Sequence, residues 1–242
     1  MEQTHSKVYE GKAKLVKPGP EHDTVIIEFK NDLTAFNAQK KGSFGNKGKI
    51  NARISELIFY YLKDNGVPSH FLKRESENSW LCQKLEIIPF EVVVRNKVAG
   101  SLAKKLGLPE GGVLKFPLVE FYLKNDSLGD PFISEDQMLS LSLIDQQTLL
   151  ELKKQGELIN DLLKKLFLKA QLTLVDFKIE FGKNKHQQVL LADEISPDSC
   201  RLWDVKTQQK LDKDRFRQDL GGIADAYEEV LKRLESVVEN AT

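Results

Sequence analysis

The ten residues LTLVDFKIEF, 172 to 181, alternate so regularly that they specify one local structure. Val175, Phe177, Ile179 and Phe181 fall at every second position, the period of a pleated strand, and Asp176, Lys178 and Glu180 occupy the positions between them. Such a strand buries one face and presents three charges on the other. The polar KNKHQQ that follows reads as a turn and VLLADEI as the returning strand, which makes a hairpin. With the turn centred on His186 and Gln187, Glu180 stands directly opposite Asp193 on the charged face. Two carboxylates side by side repel unless a cation lies between them. Hard oxygen donors without His or Cys suit Mg²⁺ carrying nucleotide phosphates.

The rest of the chain supplies elements for such a hairpin to pack against. KVY, AKLVK and TVIIEFK, broken by turns at Gly11 and PGPEHD, predict an antiparallel N-terminal sheet. From Gly48 to Asn65, Ile50, Ile54, Leu57, Ile58, Tyr61 and Leu62 recur at helical spacing, and Asn65-Gly66 before Pro68 is a stop. FEVVVRN, with three consecutive valines, suits a central strand buried on both faces. We place a lobe boundary near Pro89, followed by a helix at SLAKKLG, a strand at PLVEFYLK and a long helix from Asp145 to Lys169. Two C-terminal helices are expected, Lys213 to Leu220 and Ile223 to Glu239, separated by Gly221-Gly222. The expected class is α+β: two lobes of mainly antiparallel sheets with helices, sharing a cleft.

Charge and composition exclude several functions. The 36 Lys plus Arg equal the 36 Asp plus Glu, so no net field favours nucleic acid and any anion site must be local. No apolar run of about 18 residues exists, and the N-terminus lacks a signal-peptide core, so no membrane partner and a cytoplasmic location are expected. Cys82 and Cys200 lack the spacing of a zinc site and read as free thiols. The four histidines sit in polar or turn-like segments and are expected to be solvated.

Four further segments carry candidate chemistry. YEGKAK puts Gly11, Lys12, Ala13 and Lys14 at a tight turn, where backbone amides and lysines suit phosphate, although GxxxxGK[ST] and GxGxxG are both absent. VVVRNKVAGSL leads from a strand into Arg95 and a helix opening at Ser101; this suits an anion site, or equally an arginine ion pair beside a plain N-cap. DEISPDSCRLWD contributes Arg201, and DKDRFRQDLGG contributes Arg215 and Arg217, a pair that also suits a solvated helix face.

Read together, VYEGKAK, FEVVVRNKVAGSLAKKLG, FYLKNDSLGDP, LVDFKIEFG, ADEISPDSCRLWD and DKDRFRQDLGG resemble the SAICAR synthetase (phosphoribosylaminoimidazole-succinocarboxamide synthase) family from about residue 7 to 235. The resemblance implies an ATP-grasp-like, kinase-like pair of lobes: 1–88 nucleotide-binding, 89–242 carrying metal and ribonucleotide sites. It implies an ATP-dependent carbon-nitrogen ligase of purine biosynthesis. L-aspartate and a carboxyaminoimidazole ribonucleotide would be joined through an acyl phosphate, with ATP and Mg²⁺ required, in a homodimer.

Carried over residue by residue, Lys12, Ala13, Lys14 and Val16 resemble the loop over the ATP phosphates. Lys84, Leu85, Glu86 and Ile87 resemble the segment meeting adenine, and Lys124 a lysine near the nucleotide. Glu180 and Asp193 match the magnesium carboxylates; Arg95, Ser101, Asp176, Lys178, Arg201 and Arg217 match positions holding the ribonucleotide. Lys14, Lys124, Asp176 and Lys178 are the implied catalytic residues. The sequence departs from the family at Ala38, where glycine is common, so Asn37 and its neighbours are not assigned. Two other readings use the same features: a kinase-like phosphotransferase with a hydroxyl acceptor, and a non-catalytic nucleotide sensor. The sensor is disfavoured because Glu180, Asp193, Arg95 and Arg201 are all present.

Overall fold

The computed structural model describes residues 8–35 and 39–238. The chain opens with β1 (Tyr9–Glu10) and β2 (Lys14–Pro18), and β3 (Thr24–Phe29) forms where the β-branched Thr24, Val25, Ile26 and Ile27 cluster after a turn. A two-stranded ribbon, β4 (Asp32–Ala35) and β5 (Lys40–Ser43), follows; Asn37 and Ala38 between them lie outside the described residues. After α1 (Lys47–Asp64), strands β6 (Phe71–Ser76) and β7 (Ser79–Gln83) complete an antiparallel sheet ordered β1-β2-β3-β7-β6.

Helix α1 forms as its spacing requires and buries Ile50, Ile54, Leu57, Ile58 and Leu62. Each fully buried side chain of this size contributes about 1.5–3 kcal/mol by leaving water. Phe59 of its FYY segment is core as well, 1% exposed and packed against the rings of His70, Phe71 and Trp80. Tyr61 donates to the Leu162 carbonyl at 3.4 Å, so that segment offers little free apolar surface beyond Tyr60.

The second sheet begins with β8 (Glu86–Lys97), joined to α2 (Gly100–Leu106) and β9 (Val113–Leu123). Then come β10 (Phe132–Ile133), α3 (Glu135–Ser140) and α4 (Gln146–Lys169), the last N-capped by Asp145. Strands β11 (Leu172–Lys183), β12 (Val189–Ala192) and β13 (Cys200–Asp204) precede α5 (Asp214–Arg217) and α6 (Ile223–Val238). The order is β10-β9-β8-β11-β12, with β13 pairing the first half of β11. Helix α5 is one turn long, shorter than the helix expected from Lys213 to Leu220, because Asp219 already takes a left-handed conformation, φ 56°, ahead of the two glycines. The α+β class with mainly antiparallel sheets is as expected.

Pro89 lies inside β8 rather than between sheets. Pairing to β11 slips between Glu91 and Ile87, and a proline, which has no N–H to give the ladder, fits at that irregularity. The chain crosses from one sheet to the next at Lys84 and Leu85, past Gly182. A Cβ on Gly182 would stand 2.8 Å from the Leu85 Cβ and 3.0 Å from the Glu86 carbonyl, so only glycine lets the crossing come this close. One apolar core joins both sheets, including Ile27 and Trp80, Leu163 and Phe177, and Val230 of α6.

Strict alternation fails once on β11. A bulge between Leu174 and Asp176 inserts Val175 as an extra residue against β13. Leu172, Leu174, Phe177, Ile179 and Phe181 therefore share the main core, while Val175 packs with Ala99 and Trp203. The expectation that Val175 shares a face with Phe177 is corrected.

Candidate active site

The two sheets enclose a cleft of about 1070 Å³, ample for a nucleotide. The charged face of β11 forms its floor, because the opposite face is committed to the core. Lys12, Ala13, Lys14 and Val16 line it from the N-terminal hairpin, with Lys84, Leu85 and Ile87 at the crossing. Arg95, Ser101, Lys124, Asp176, Lys178, Glu180, Asp193, Arg201 and Arg217 also line it. The structure thus brings together every residue singled out from sequence except two: Glu86, whose side chain is exposed and lies off the cleft wall, and Arg215, which turns away to donate to the Gly221, Lys210 and Leu220 carbonyls.

At one end the groups are carboxylates and ammonium ions. Glu180 pairs with Ala192, one residue out of the register assumed from the turn, so Asp193 does not face it. The carboxylate directly across from Glu180 is Glu91 of β8, and Lys178 relieves that like-charge pair, at 2.8 Å from Glu91 and 2.9 Å from Glu180. Asp193 follows β12 at φ 61°, a left-handed conformation that returns its carboxylate to the cleft, 3.9 Å from the Lys178 ammonium. Lys14 binds Asp193 and stands 2.9 Å from Glu194; Lys124 binds Glu180.

Electrostatics hold Lys14, Lys178 and Asp193 in their charged forms. Burial alone would lower the pKa values of Lys14 and Lys178, but Asp193 and Glu194 around the first and Glu180, Asp193 and Glu91 around the second outweigh it, and both are raised. Asp193 is held well below the usual carboxylate range: burial opposes its charge, and Lys14 and Lys178 more than compensate. Four carboxylates, Glu91, Glu180, Asp193 and Glu194, face three ammonium groups, leaving one negative charge in excess.

At the other end the cations are arginines. Arg95, Asp176 and Arg201 are direct cross-strand partners on β8, β11 and β13, so pleating alone puts all three on one face. Arg95 donates to Asp176 at 2.9 Å, Glu120 at 2.7 Å, Ser101 at 2.9 Å and Tyr122 at 3.2 Å. Arg201 grips both Asp176 oxygens through Nη1, at 2.8 and 3.1 Å, and Asp214 through Nε at 2.7 Å. Arg217 donates to Asp214 at 2.6 Å. Burial disfavours the Arg201 charge, but Asp176 and Asp214 outweigh it and raise its pKa. Gly100 sits at φ 54°, where a Cβ would be 2.3 Å from Arg201 Nη2; glycine is needed to admit the guanidinium.

Several cleft residues were not legible in advance. Expected to be solvated, His70 is instead buried, 4% exposed, and its Nε2 lies 3.1 Å from the Asp193 carbonyl. Burial lowers its pKa to about 4, so the ring is neutral, and Nε2–H donates to that carbonyl. Glu91, Glu120 and Glu194 read as ordinary strand or turn acids, and only pairing across strands exposes their roles. Lys47, at 1% exposure, is sequestered 2.5 Å from Asp198. Both cysteines are buried free thiols whose pKa values burial raises.

Comparison with known proteins places this cleft in context. The SAICAR synthetase family profile matches residues 7–234. The phosphoribosylaminoimidazole-succinocarboxamide synthase of Rhodospirillum centenum is 53% identical over 231 residues, 94% of this chain and 91% of its own. The crystal structure of phosphoribosylaminoimidazole-succinocarboxamide synthase from Ehrlichia chaffeensis is 42% identical with a TM-score of 0.92, over 95% of this chain and 98% of that one. A SAICAR synthetase solved in complex with ADP is 46% identical, also with a TM-score of 0.92, over 95% and 98% of the two chains.

Proposed function

The chain belongs to the SAICAR synthetase family, and we propose that its cleft performs that family's ligation of L-aspartate to a carboxyaminoimidazole ribonucleotide at the expense of ATP. A free carboxylate is a poor electrophile. One of its oxygens attacks the γ-phosphorus, ADP departs, and the resulting acyl phosphate is attacked at carbon by the aspartate amine. Phosphate then leaves with the C–O bond and the amine loses a proton, completing the succinocarboxamide. Positioning and charge neutralisation are what the protein must supply.

The observation that carries this reading is the division of the cleft into an acid-lysine end and an arginine end. Lys12, Lys14 and Lys124 bind ATP phosphates, aided by the turn amides at Ala13 and by Val16, while Lys84, Leu85 and Ile87 lie beside the adenine and Glu86 contributes only through its backbone. Arg95, Ser101, Asp176, Lys178, Arg201 and Arg217 hold the ribonucleotide, with Lys14, Lys124, Asp176 and Lys178 touching the reacting groups. Asp176 Oδ2 accepts from both arginines and so keeps them side by side, ready for a carboxylate or a phosphate.

Glu180 and Asp193 would hold Mg²⁺. Among the described residues no three His, Cys, Asp or Glu side chains form a closed cage, and two carboxylates suit an ion whose other ligands are phosphate and water. The excess negative charge favours it. When bound, the ion neutralises charge on the transferring phosphoryl group.

The reading includes two lobes, residues 1–88 and 89–242, a cytoplasmic setting and a homodimer. Exposed Leu106, Leu108, Val113 and Phe116, on and around α2 and β9, offer an apolar face for the dimer. No helix among the described residues is long and apolar enough to cross a membrane. The test is ADP release with each substrate omitted in turn. Steady turnover should require aspartate and ribonucleotide together; aspartate-independent release would instead indicate a phosphotransferase.

A further inference from the structure

The arginine end borders a corner of the cleft to which no reactant has been assigned. Asp198, Ser199 and Lys213 line it. The Asp198 carboxylate is already satisfied: Lys47 lies 2.5 Å away, Tyr227 donates at 2.7 Å and Asn51 at 3.1 Å. Lys213 is left over. Its ammonium comes no closer than 3.8 Å to Asp198, beyond hydrogen-bond reach, although the side chain is only 13% exposed.

Neighbouring acids are committed elsewhere. Glu194 binds Lys14 at 2.9 Å and Ser196 at 2.6 Å, and Asp214 binds Arg201 and Arg217. Among the described residues, Lys213 is the one cation of the cleft wall that is not exposed and yet has no hydrogen-bond acceptor. Burial lowers its pKa, Arg217 and Lys47 add to the effect, and Asp198 only partly opposes it. Within ion-pair range the corner sets Lys47 and Lys213 against Asp198, one positive charge in excess and opposite in sign to the acid-lysine end, with Glu194 a weaker acid neighbour already committed to Lys14. A desolvated ammonium facing a cleft without a partner is a vacancy for an anion.

We propose that Lys213 receives a carboxylate of the amino-acid substrate, L-aspartate, an inference that rests on the ligation proposed above. Nucleotide phosphates answer to the acid-lysine end and the ribonucleotide to the arginines, so aspartate is the anionic reactant left to fill the corner. Glu194 links the sites: its field acts on both Lys14 and Lys213, so an aspartate anchored at Lys213 lies beside the phosphoryl-transfer end.

The experiment is steady-state kinetics of the full chain with each of the three substrates varied in turn, for wild type, Lys213→Met, Lys213→Gln and Lys213→Arg. Loss of a charge-assisted hydrogen bond should raise the aspartate KM of the Met and Gln variants by about tenfold or more. The KM values for ATP and ribonucleotide should stay within about twofold, and Lys213→Arg should recover most of the loss. Succinate, a dicarboxylate without the amine, should compete with aspartate in the wild type, its inhibition constant rising in parallel in the variants. An unchanged aspartate KM overturns the proposal, and so does a rise confined to the ribonucleotide. If neither neutral variant melts cooperatively by circular dichroism, Lys213 is structural and the proposal falls. Failure of the wild type to consume aspartate would instead overturn the ligation itself.

Discussion

The two ends of the cleft neutralise charge by different means. At the acid-lysine end, ammonium groups on long flexible stems share carboxylates: Lys14 touches Asp193 and Glu194, and Lys178 reaches Glu91, Glu180 and Asp193. At the arginine end, the planar guanidinium groups of Arg95 and Arg201 are fixed by four and three directional bonds. A lysine is a compact point charge that can change partners, whereas an arginine fork keeps its geometry. The difference suits the tasks proposed for each end. On that proposal phosphates and a metal ion would come and go at the first, and a ribonucleotide would be held in one orientation at the second.

The strongest challenge to this contrast is Asp193→Asn. If the acid-lysine end carries the phosphoryl chemistry, turnover should fall by about 10³, with ribonucleotide affinity by calorimetry within about threefold of wild type. Full activity would remove Asp193 from the metal role.

The arginine end also contains a carboxyl group with a strongly raised pKa. Asp212 is fully buried and accepts from the Leu202 and Asp214 amides; burial and neighbouring Asp214 push its pKa up to about 7. Unfolded, it ionises near 3.8. Its contribution to stability is therefore present below that value and is lost as pH rises, on the order of 3 kcal/mol between pH 4 and 7. Urea denaturation at several pH values should show this loss in wild type and a flatter profile in Asp212→Asn; identical profiles would exclude Asp212.

Arg201→Lys sharpens the comparison directly. A point charge in place of the fork should weaken ribonucleotide binding by about 2 kcal/mol and leave ATP affinity unchanged. Equal losses for both ligands would erase the division. The smallest effect is expected for Lys124→Met. Its pair with Glu180 is partly screened at 31% side-chain exposure, so the KM for ATP should rise about threefold.

Much of this arrangement is written locally in the sequence. The period of LTLVDFKIEF places Asp176, Lys178 and Glu180 on the cleft side, and the Arg95 and Arg201 segments are recognisable by motif. What could not be read depends on relations between strands. The hairpin register was off by one because the loop is wider than a tight turn: Asn184 accepts the His186 and Gln188 amides, and Gln187 is left-handed. The Val175 bulge is set by the needs of β13, not by β11 itself. Glu91 became visible only when β8 was laid beside β11, and His70 only when its loop met β12. Helix α3 was missed although Ser134 and Gln137 form a capping box, because six residues carry too little periodicity.

The row Arg95, Asp176, Arg201 has a consequence for how the protein comes into being. Its members are 81 and 25 residues apart along the chain, and each is contributed by a different strand. The row is complete only when β8, β11 and β13 have all paired, so a chain acquires the ribonucleotide grip proposed for it only at that stage. A substrate held there would act as an inspector of finished molecules: by binding only those, it would draw the folding equilibrium toward completion.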